Sequence, residues 1–218
     1  MKVVVFDLDD TLYKEIDFVH SAFHHIDAYL RDKCDIPHSY SIFVEAQSEN
    51  RNPFDALLEE IYPQDIDIPT LVSKYRNHIP TISLQSDTIE VLNKLSGKVI
   101  LGLITDGRSI TQRNKIEALG LDKYFDDSNI IISEEFGSDK TDKRNYEYFK
   151  NLYPDAEKFY YIGDNPNKDF LNPNILGWET ICLKDNGENI HSQEGDFPNN
   201  FQANIMINNI KDVVKKIN

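Results

Sequence analysis

Asp7 and Asp9 stand two residues apart at the end of the apolar run Val3–Leu8. If that run is a strand, a spacing of two puts both carboxylates on one face. Other short apolar runs also end in polar groups: Thr105-Asp106-Gly107 follows one, Ser133-Glu134-Glu135 a second with Lys140 a few residues on, and Gly163-Asp164-Asn165 a third. Crowded carboxylates repel unless a cation sits among them. A few hard oxygen ligands with room for a substrate phosphate suit Mg²⁺. An aspartate in such a cluster can attack phosphorus to form an aspartyl-phosphate, with Mg²⁺ neutralising the charge between two anions. A second carboxylate two residues away can protonate the leaving alkoxide and then activate the hydrolytic water. Thr105 and Lys140 would supply the donor and the cation that hold a phosphoryl group.

For these groups to meet, the runs that carry them must be neighbouring strands with their carboxyl ends on one edge. Val3–Leu8, Val99–Ile104, Ile130–Ile132, Phe159–Ile162 and Thr180–Leu183 are each of strand length and continuously apolar, as strands buried on both faces of a parallel sheet are. Helical patterns separate the later ones: Thr88–Leu95 with Ile89, Leu92 and Leu95, Ser109–Leu119 with Ile110, Ile116 and Leu119, and Asp142–Leu152 with Tyr146, Phe149 and Leu152. This alternation predicts an α/β fold, a doubly wound, Rossmann-like parallel sheet, whose ligands bind at the carboxyl ends of the strands. A last short strand and helix are expected within Asn204–Ile217, after a polar surface loop over Asn186–Asn200.

The first two strands are about ninety residues apart, far more than one crossover needs. Within that stretch Phe18, Ala22, Ile26 and Tyr29/Leu30 form one helical stripe, and Tyr40–Ala46, Phe54–Ile61 and Leu71–Ile79 continue the rhythm, interrupted by Pro37, Pro53, Pro63 and Pro69. The expected organisation is an α/β core of residues 1–12 and 84–218 with a helical cap of residues 13–83 inserted after the first strand.

Composition narrows the partners. The 218 residues carry 37 Asp and Glu against 23 Lys and Arg, a formal charge of −14. Such a surface does not favour a phosphodiester backbone or an anionic membrane, so neither nucleic acid nor membrane is expected as a partner. Hydrophobic residues make up 40% of the chain, enough for a sizeable core. Cys34 and Cys182 could form at most one bridge and lie in no metal-binding spacing. Charge at Asp7 interrupts the N-terminus before a signal segment could form, and no run approaches the length of a membrane span. An intracellular, cytoplasmic protein is the expectation, with the oligomeric state left open.

Taken in order, Asp7-x-Asp9-x-Thr11, Leu103-Ile104-Thr105-Asp106-Gly107, Lys140 after Ser133-Glu134-Glu135-Phe136-Gly137, and Gly163-Asp164-Asn165-Pro166-x-x-Asp169 closely resemble the four motifs of the haloacid-dehalogenase-like (HAD) superfamily of hydrolases. The resemblance covers about Met1 to Leu183, and the helical insertion lies where that superfamily's type-1 cap does. It implies Asp7 as nucleophile and Mg²⁺ ligand, and Asp9 as general acid/base whose backbone carbonyl also meets the metal. Thr105 and Lys140 would be the phosphate-binding pair, Asp164 the remaining carboxylate on Mg²⁺, and Asp169 a support for the lysine or a metal-bound water. Asp106, Gly107, Arg108 and Tyr13 join the residues expected near phosphate or substrate. A departing alkoxide needs a proton and a departing halide does not, so the second acid, Asp9, points to phosphate-ester hydrolysis. Phosphoglucomutase-type isomerases keep the same acid and stay open. The stretch Thr105–Leu121 is most similar to nucleotidases and acylneuraminate-9-phosphate phosphatases. The implied substrate is a small phosphorylated metabolite, a nucleotide or a sugar phosphate.

Three places depart from that pattern. Lys140-Thr141-Asp142 replaces the usual Lys-Pro-Asp, with Lys143 a second candidate; Asn172-Pro173-Asn174 replaces small residues; and Thr-Asp-Gly stands where related phosphatases often have Thr-Asn-Gly. Other features have plainer readings. Asp10 faces away from its neighbours and suits a turn or cap. His20, His24 and His25 suit a solvated helix face, since no third metal ligand accompanies them. Trp178 suits packing at the start of a strand, and the acidic stretch Asp55–Asp67 an exposed face. A receiver-type signalling domain shares the same residue types but has no long insertion after its first strand, and a binding-only relative would not need every one of these polar groups.

Overall fold

The computed structural model describes residues 1–61 and 66–217; Pro63, expected to interrupt a helix, and Asp65 of the acidic stretch lie outside the described residues. The chain forms two compact units, one of Met1–Ile16 with Ser83–Asn218 and one of Asp17–Ile82.

The first unit is built on six strands: β1 (Lys2–Phe6), β2 (Ile100–Thr105), β3 (Ile130–Ile132), β4 (Lys158–Gly163), β5 (Glu179–Leu183) and β6 (Ile205–Ile207). All pairs are parallel, in the order β3-β2-β1-β4-β5-β6, the doubly wound Rossmann order. Val3 to Phe6 of β1 are fully buried, which is why this central strand reads as an unbroken apolar run. Phe6 is level with Leu103 of β2 and with Ile162 of β4. That register brings the polar residues following β1, β2 and β4 to a common edge, and the strand order reverses between β1 and β4, where such sheets bind ligands.

The segments before, between and after the strands form helices much where the apolar spacing predicts them. Among the described residues the α-helices are α1 (Glu15–Cys34), α2 (Ser39–Ser48), α3 (Pro53–Ile61), α4 (Ile68–Asn77), α5 (Ser86–Leu95), α6 (Ser109–Ala118), α7 (Ser133–Phe136), α8 (Arg144–Leu152), α9 (Leu171–Ile175) and α10 (Asp212–Ile217). Tyr146 and Phe149 of α8 meet Tyr161, Phe170 and Trp178 in one buried cluster, with Trp178 stacked on Phe159 at 4.9 Å. Gly102 of β2 makes room for this helix, because a Cβ there would lie 2.5 Å from the Phe149 ring. Three apolar residues expected on buried faces are instead substantially exposed: Ile89, Ile110 and Leu152. In α5 the buried place goes to Val91. In α6 it goes to Gln112 and Lys115 beside Ile116, so this helix turns a polar face inward.

The second unit is helical. Phe18, Ala22, Ile26 and Leu30 of α1 are all buried along one stripe, with Phe23 packed on Phe43 of α2 at 5.0 Å. Asp27 accepts from the Ser39 hydroxyl at 2.8 Å and the Tyr40 N–H at 3.0 Å, which covers the exposed donors at the start of α2. Asp67 caps α4 through the Thr70 N–H at 2.8 Å. Pro53 and Pro69 open α3 and α4 instead of breaking them, since the first helical turn needs no N–H donor at those places. The fourth helix therefore starts and stops earlier than the spacing suggests, and Ile79 lies outside it, exposed. His24 stacks on Tyr40 and His20 bonds the Tyr40 hydroxyl; these rings are occupied by neighbours. Among the described residues no helix is long and apolar enough to cross a membrane.

Candidate active site

Asp7 follows β1 directly and is buried, its N–H donating to the Ile162 carbonyl at 2.8 Å to continue the sheet. Its Oδ1 accepts the Leu8 N–H at 2.7 Å and lies 2.5 Å from Lys140 Nζ. Lys140 also reaches Asp169 Oδ1 at 2.9 Å. Burial opposes its charge, but Asp169 and Asp7 outweigh that and hold the ammonium well above its usual range. Lys143, the other lysine of that segment, is exposed and pairs with Glu147 at 3.0 Å.

Asp164 follows β4 directly. Asp7, Asp164 and Asp169 bring a carboxylate oxygen each to within 4.8 Å of the others, and all three are buried. Of these, Asp169 is already fully engaged. Its Oδ1 accepts from Lys140 and from the Tyr161 hydroxyl at 3.0 Å, and its Oδ2 from the backbone N–H groups of Asp164 at 3.1 Å and Asn165 at 2.8 Å. Gly163 allows this approach, because a Cβ there would lie 2.5 Å from Asp169 Oδ2. Asp169 thus braces Lys140 and the turn bearing Asp164, and does not cap the following helix.

Electrostatics sets a demand on this cluster. Burial, with Asp169 and Asp164 beside it, pushes the Asp7 carboxyl well above its ordinary range despite Lys140. Burial and then Asp169 push Asp164 up to about 8. Two buried carboxyls whose charged forms are disfavoured, with one lysine among three acids, fit a divalent cation: it would favour the charged forms and meet the oxygen ligands that hard cations take.

Asp9 sits in different surroundings. Its Oδ1 accepts the Tyr13 hydroxyl at 2.5 Å and Lys115 Nζ at 2.6 Å, and its Oδ2 accepts Gln112 Nε2 at 3.0 Å. Gln112 donates to the buried Thr105 hydroxyl as well. Burial raises the Asp9 carboxyl, but the Lys115 charge and these hydrogen bonds outweigh it and leave the group lowered. Two carboxylates two residues apart are thus driven in opposite directions, the separation expected of groups with different roles.

The remaining expected residues fall as follows. The Asp106 carboxylate accepts the Lys140 N–H at 3.0 Å and lies 3.6 Å from Lys168 Nζ. Gly107 N–H donates to the Ser133 hydroxyl at 2.9 Å. Arg108 pairs with Glu134 at 3.1 Å, both side chains exposed. Tyr13 is buried against Asp9 and does not line the cavity that holds the acids. Asp10, with φ 54°, accepts the Glu15 and Ile190 N–H groups, the turn and capping role expected of it. Pro173 lies within the first turn of α9, and its neighbour Asn172 donates to the Lys140 carbonyl at 3.1 Å.

The cavity is lined by Asp7, Asp9, Thr105, Asp106, Lys140 and Asp164, joined by Asp10, Glu15, Asn165, Lys168 and His191. Burial and then Asp9 push Glu15 up to about 7. Sequence reasoning missed Gln112, Lys115, Glu15 and His191. For the first two a signal existed: Gln112, Lys115 and Ile116 share one helical face, where two polar residues beside a core isoleucine need buried partners. His191 carries no such signal.

The comparisons agree with this geometry. The sequence profile of the haloacid dehalogenase-like hydrolases matches residues 4–181. A glyceraldehyde 3-phosphate phosphatase of Methanocaldococcus jannaschii is 28% identical over 98% of this chain and 96% of its own length. The pyrimidine 5′-nucleotidase YjjG of Escherichia coli is 32% identical over 49% of this chain and 45% of its own. Among solved structures, the magnesium-bound HAD-hydrolase YfnB of Bacillus subtilis superposes with a TM-score of 0.68 at 21% identity, covering 100% of this chain and 98% of that one. With four motifs in order on the strand ends of a doubly wound sheet and a profile match over most of its length, this chain belongs to the haloacid dehalogenase-like hydrolase family.

Proposed function

We propose that this hydrolase is a Mg²⁺-dependent phosphatase acting on a small phosphate monoester through an aspartyl-phosphate on Asp7. The observation that carries the reading is the pairing of two differently tuned carboxylates, Asp7 and Asp9, at one strand end, with Lys140 on the first and Lys115 on the second. Asp7 and Asp164 side chains, with the Asp9 carbonyl, would hold the cation, and Asp169 would stay outside its ligand set. When bound, Mg²⁺ supplies charge neutralisation between the incoming phosphate and Asp7.

Asp7 attacks phosphorus, and the bond to the leaving oxygen breaks as Asp9 delivers a proton to it. A water then attacks the acyl-phosphate and gives its proton to Asp9, returning Asp7 as carboxylate and releasing phosphate. Lys115, Tyr13 and Gln112 favour the ionised form of Asp9, which the second step needs. The approaching phosphate charge favours the protonated form, which the first step needs. Thr105 and Lys140 hold the phosphoryl oxygens. The nearly full-length similarity to glyceraldehyde 3-phosphate phosphatase favours a short sugar phosphate over a nucleotide. His191 and Lys168, at the wall of the cavity, are the cavity side chains we assign to the rest of that substrate. The helical unit, Asp17–Ile82, is inserted between the first and second strands, after Asp7-x-Asp9, and we assign it a cap's part in selecting the leaving group.

Phosphate release measured with and without Mg²⁺ tests the reading. Asp7→Asn should lower turnover of glyceraldehyde 3-phosphate by at least about 10³. Unchanged turnover in that variant, or turnover indifferent to chelation, would overturn it, and a phosphorylated isomer as product in place of phosphate would favour a mutase.

A further inference from the structure

The loop after β5 reads in sequence as plain surface, yet it returns to the acidic cluster. Asn189 Nδ2 donates to Asp164 Oδ2 at 2.9 Å. Asn189 Oδ1 accepts from Lys14 Nζ at 2.7 Å, and the same ammonium reaches Asn186 Oδ1 at 2.7 Å. An ammonium only donates, so Lys14 alone fixes which way round the amide stands: oxygen to Lys14, nitrogen to Asp164. The backbone is held too. Gln193 Nε2 donates to the Asp164 and Leu183 carbonyls, each at 2.8 Å. The loop itself is stiffened where Asp185 Oδ1 accepts the N–H groups of Gly187, Glu188 and Asn189 at 2.8 to 3.0 Å, and it is tied to the first motif by Ile190 N–H on Asp10 at 3.0 Å.

We propose that Asn189, oriented by Lys14, is a positioning residue for Asp164: it occupies one carboxylate oxygen and so presents the other to the cation. This rests on the metal reading given under Proposed function. Three constraints then meet on Asp164, with Asn189 on its Oδ2, Asp169 on its N–H and Gln193 on its carbonyl. A ligand held before the ion arrives loses less freedom when it binds, and removing such an outer partner characteristically weakens metal binding about 10–100-fold. Lys14 and Asn189 lie 175 residues apart in sequence and neither belongs to a motif, so only the Asp164 end of the relay is visible in the sequence.

Calorimetric titration of the chelator-stripped full chain with MgCl₂ alone tests the relay. Asn189→Ala should weaken Mg²⁺ binding about 10–100-fold, and Lys14→Met should weaken it in the same direction by a smaller factor. The Mg²⁺ concentration for half-maximal phosphate release should rise in step with each dissociation constant, a shift that a purely structural role would not produce. Melting in EDTA identifies any variant that fails to fold. If Asn189→Ala does fail, Asn189→Ser, which is too short to reach Asp164, takes its place. Asn189→Ala binding Mg²⁺ within twofold of the wild type, while Asp164→Asn loses binding, overturns the relay and leaves the metal reading standing. Wild type that does not bind Mg²⁺, or Asp164→Asn that binds it equally well, overturns the metal reading and the relay with it.

Discussion

Three donors converge on the carboxylate of Asp9, and the strongest is the ammonium of a lysine from another element. Lys115 is almost entirely buried and lies 2.6 Å from Asp9 Oδ1, in a setting where its charge is little screened. It is therefore the main reason that burial does not raise the Asp9 carboxyl. Lys115→Met should raise it. The ionised form of Asp9, proposed to take the proton from water, would then be lost at a higher pH, so the acidic limb of the rate–pH profile should move upward and kcat should fall about tenfold or more. A profile measured on Lys115→Met that keeps the wild-type acidic limb would remove Lys115 from any part in tuning Asp9. The KM for substrate should change less than kcat, because Lys115 touches Asp9 and does not line the cavity.

At the scale of elements, the parts that read clearly in sequence and the parts that did not differ in a physical way. The strands were legible because a strand buried on both faces has no polar face to confuse it, and Val3–Phe6 and Leu103–Ile104 are such segments. The acids at their ends were legible because charge directly after an apolar run is a sharp boundary. The inward face of α6 was not: its composition is polar, and only tertiary partners, Asp9 and Thr105, make burial of Gln112 and Lys115 affordable. The loop over 185–193 was hidden for the same reason, since Asn, Gly and Glu give the same composition whether they meet water or Asp164. Gly163 was legible only as part of a motif, and its physical reason appears with the fold. It ends β4 where Asp169 must reach past it to two backbone N–H groups. Gly163→Ala would force Asp169 away, at a cost of about 1–3 kcal/mol, and would loosen both Lys140 and the Asp164 turn. Denaturant melts should show that loss, and kcat should fall with it. A variant as stable and as active as wild type would mean that Asp169 is not the brace described here.

For the whole molecule, the charge of −14 divides into a solvated surface and a small buried excess, and the buried part is expected to dominate the pH dependence of stability. In the metal-free protein Asp164 is raised to about 8 and Asp7 is raised as well, both first by burial. A carboxyl raised in the fold binds its proton more tightly there than in the unfolded chain. Its stabilising contribution is complete below the unfolded value near 4 and is lost as pH rises through the folded one. Chelator-treated protein should therefore melt at a lower temperature at pH 9 than at pH 6, with Glu15, raised to about 7, adding to the same slope. On the proposed metal reading Mg²⁺ would bind the ionised acids and should oppose that loss, adding about 2.7 kcal/mol when present at a hundred times its dissociation constant. Its effect on the melting temperature should thus be larger at pH 9 than at pH 6. Asp164→Asn separates the local cause from the general charge: it should flatten the slope in chelator and abolish most of the Mg²⁺ shift. A wild-type slope retained in Asp164→Asn would place the pH dependence on the surface charge instead, where raising the salt concentration should weaken it.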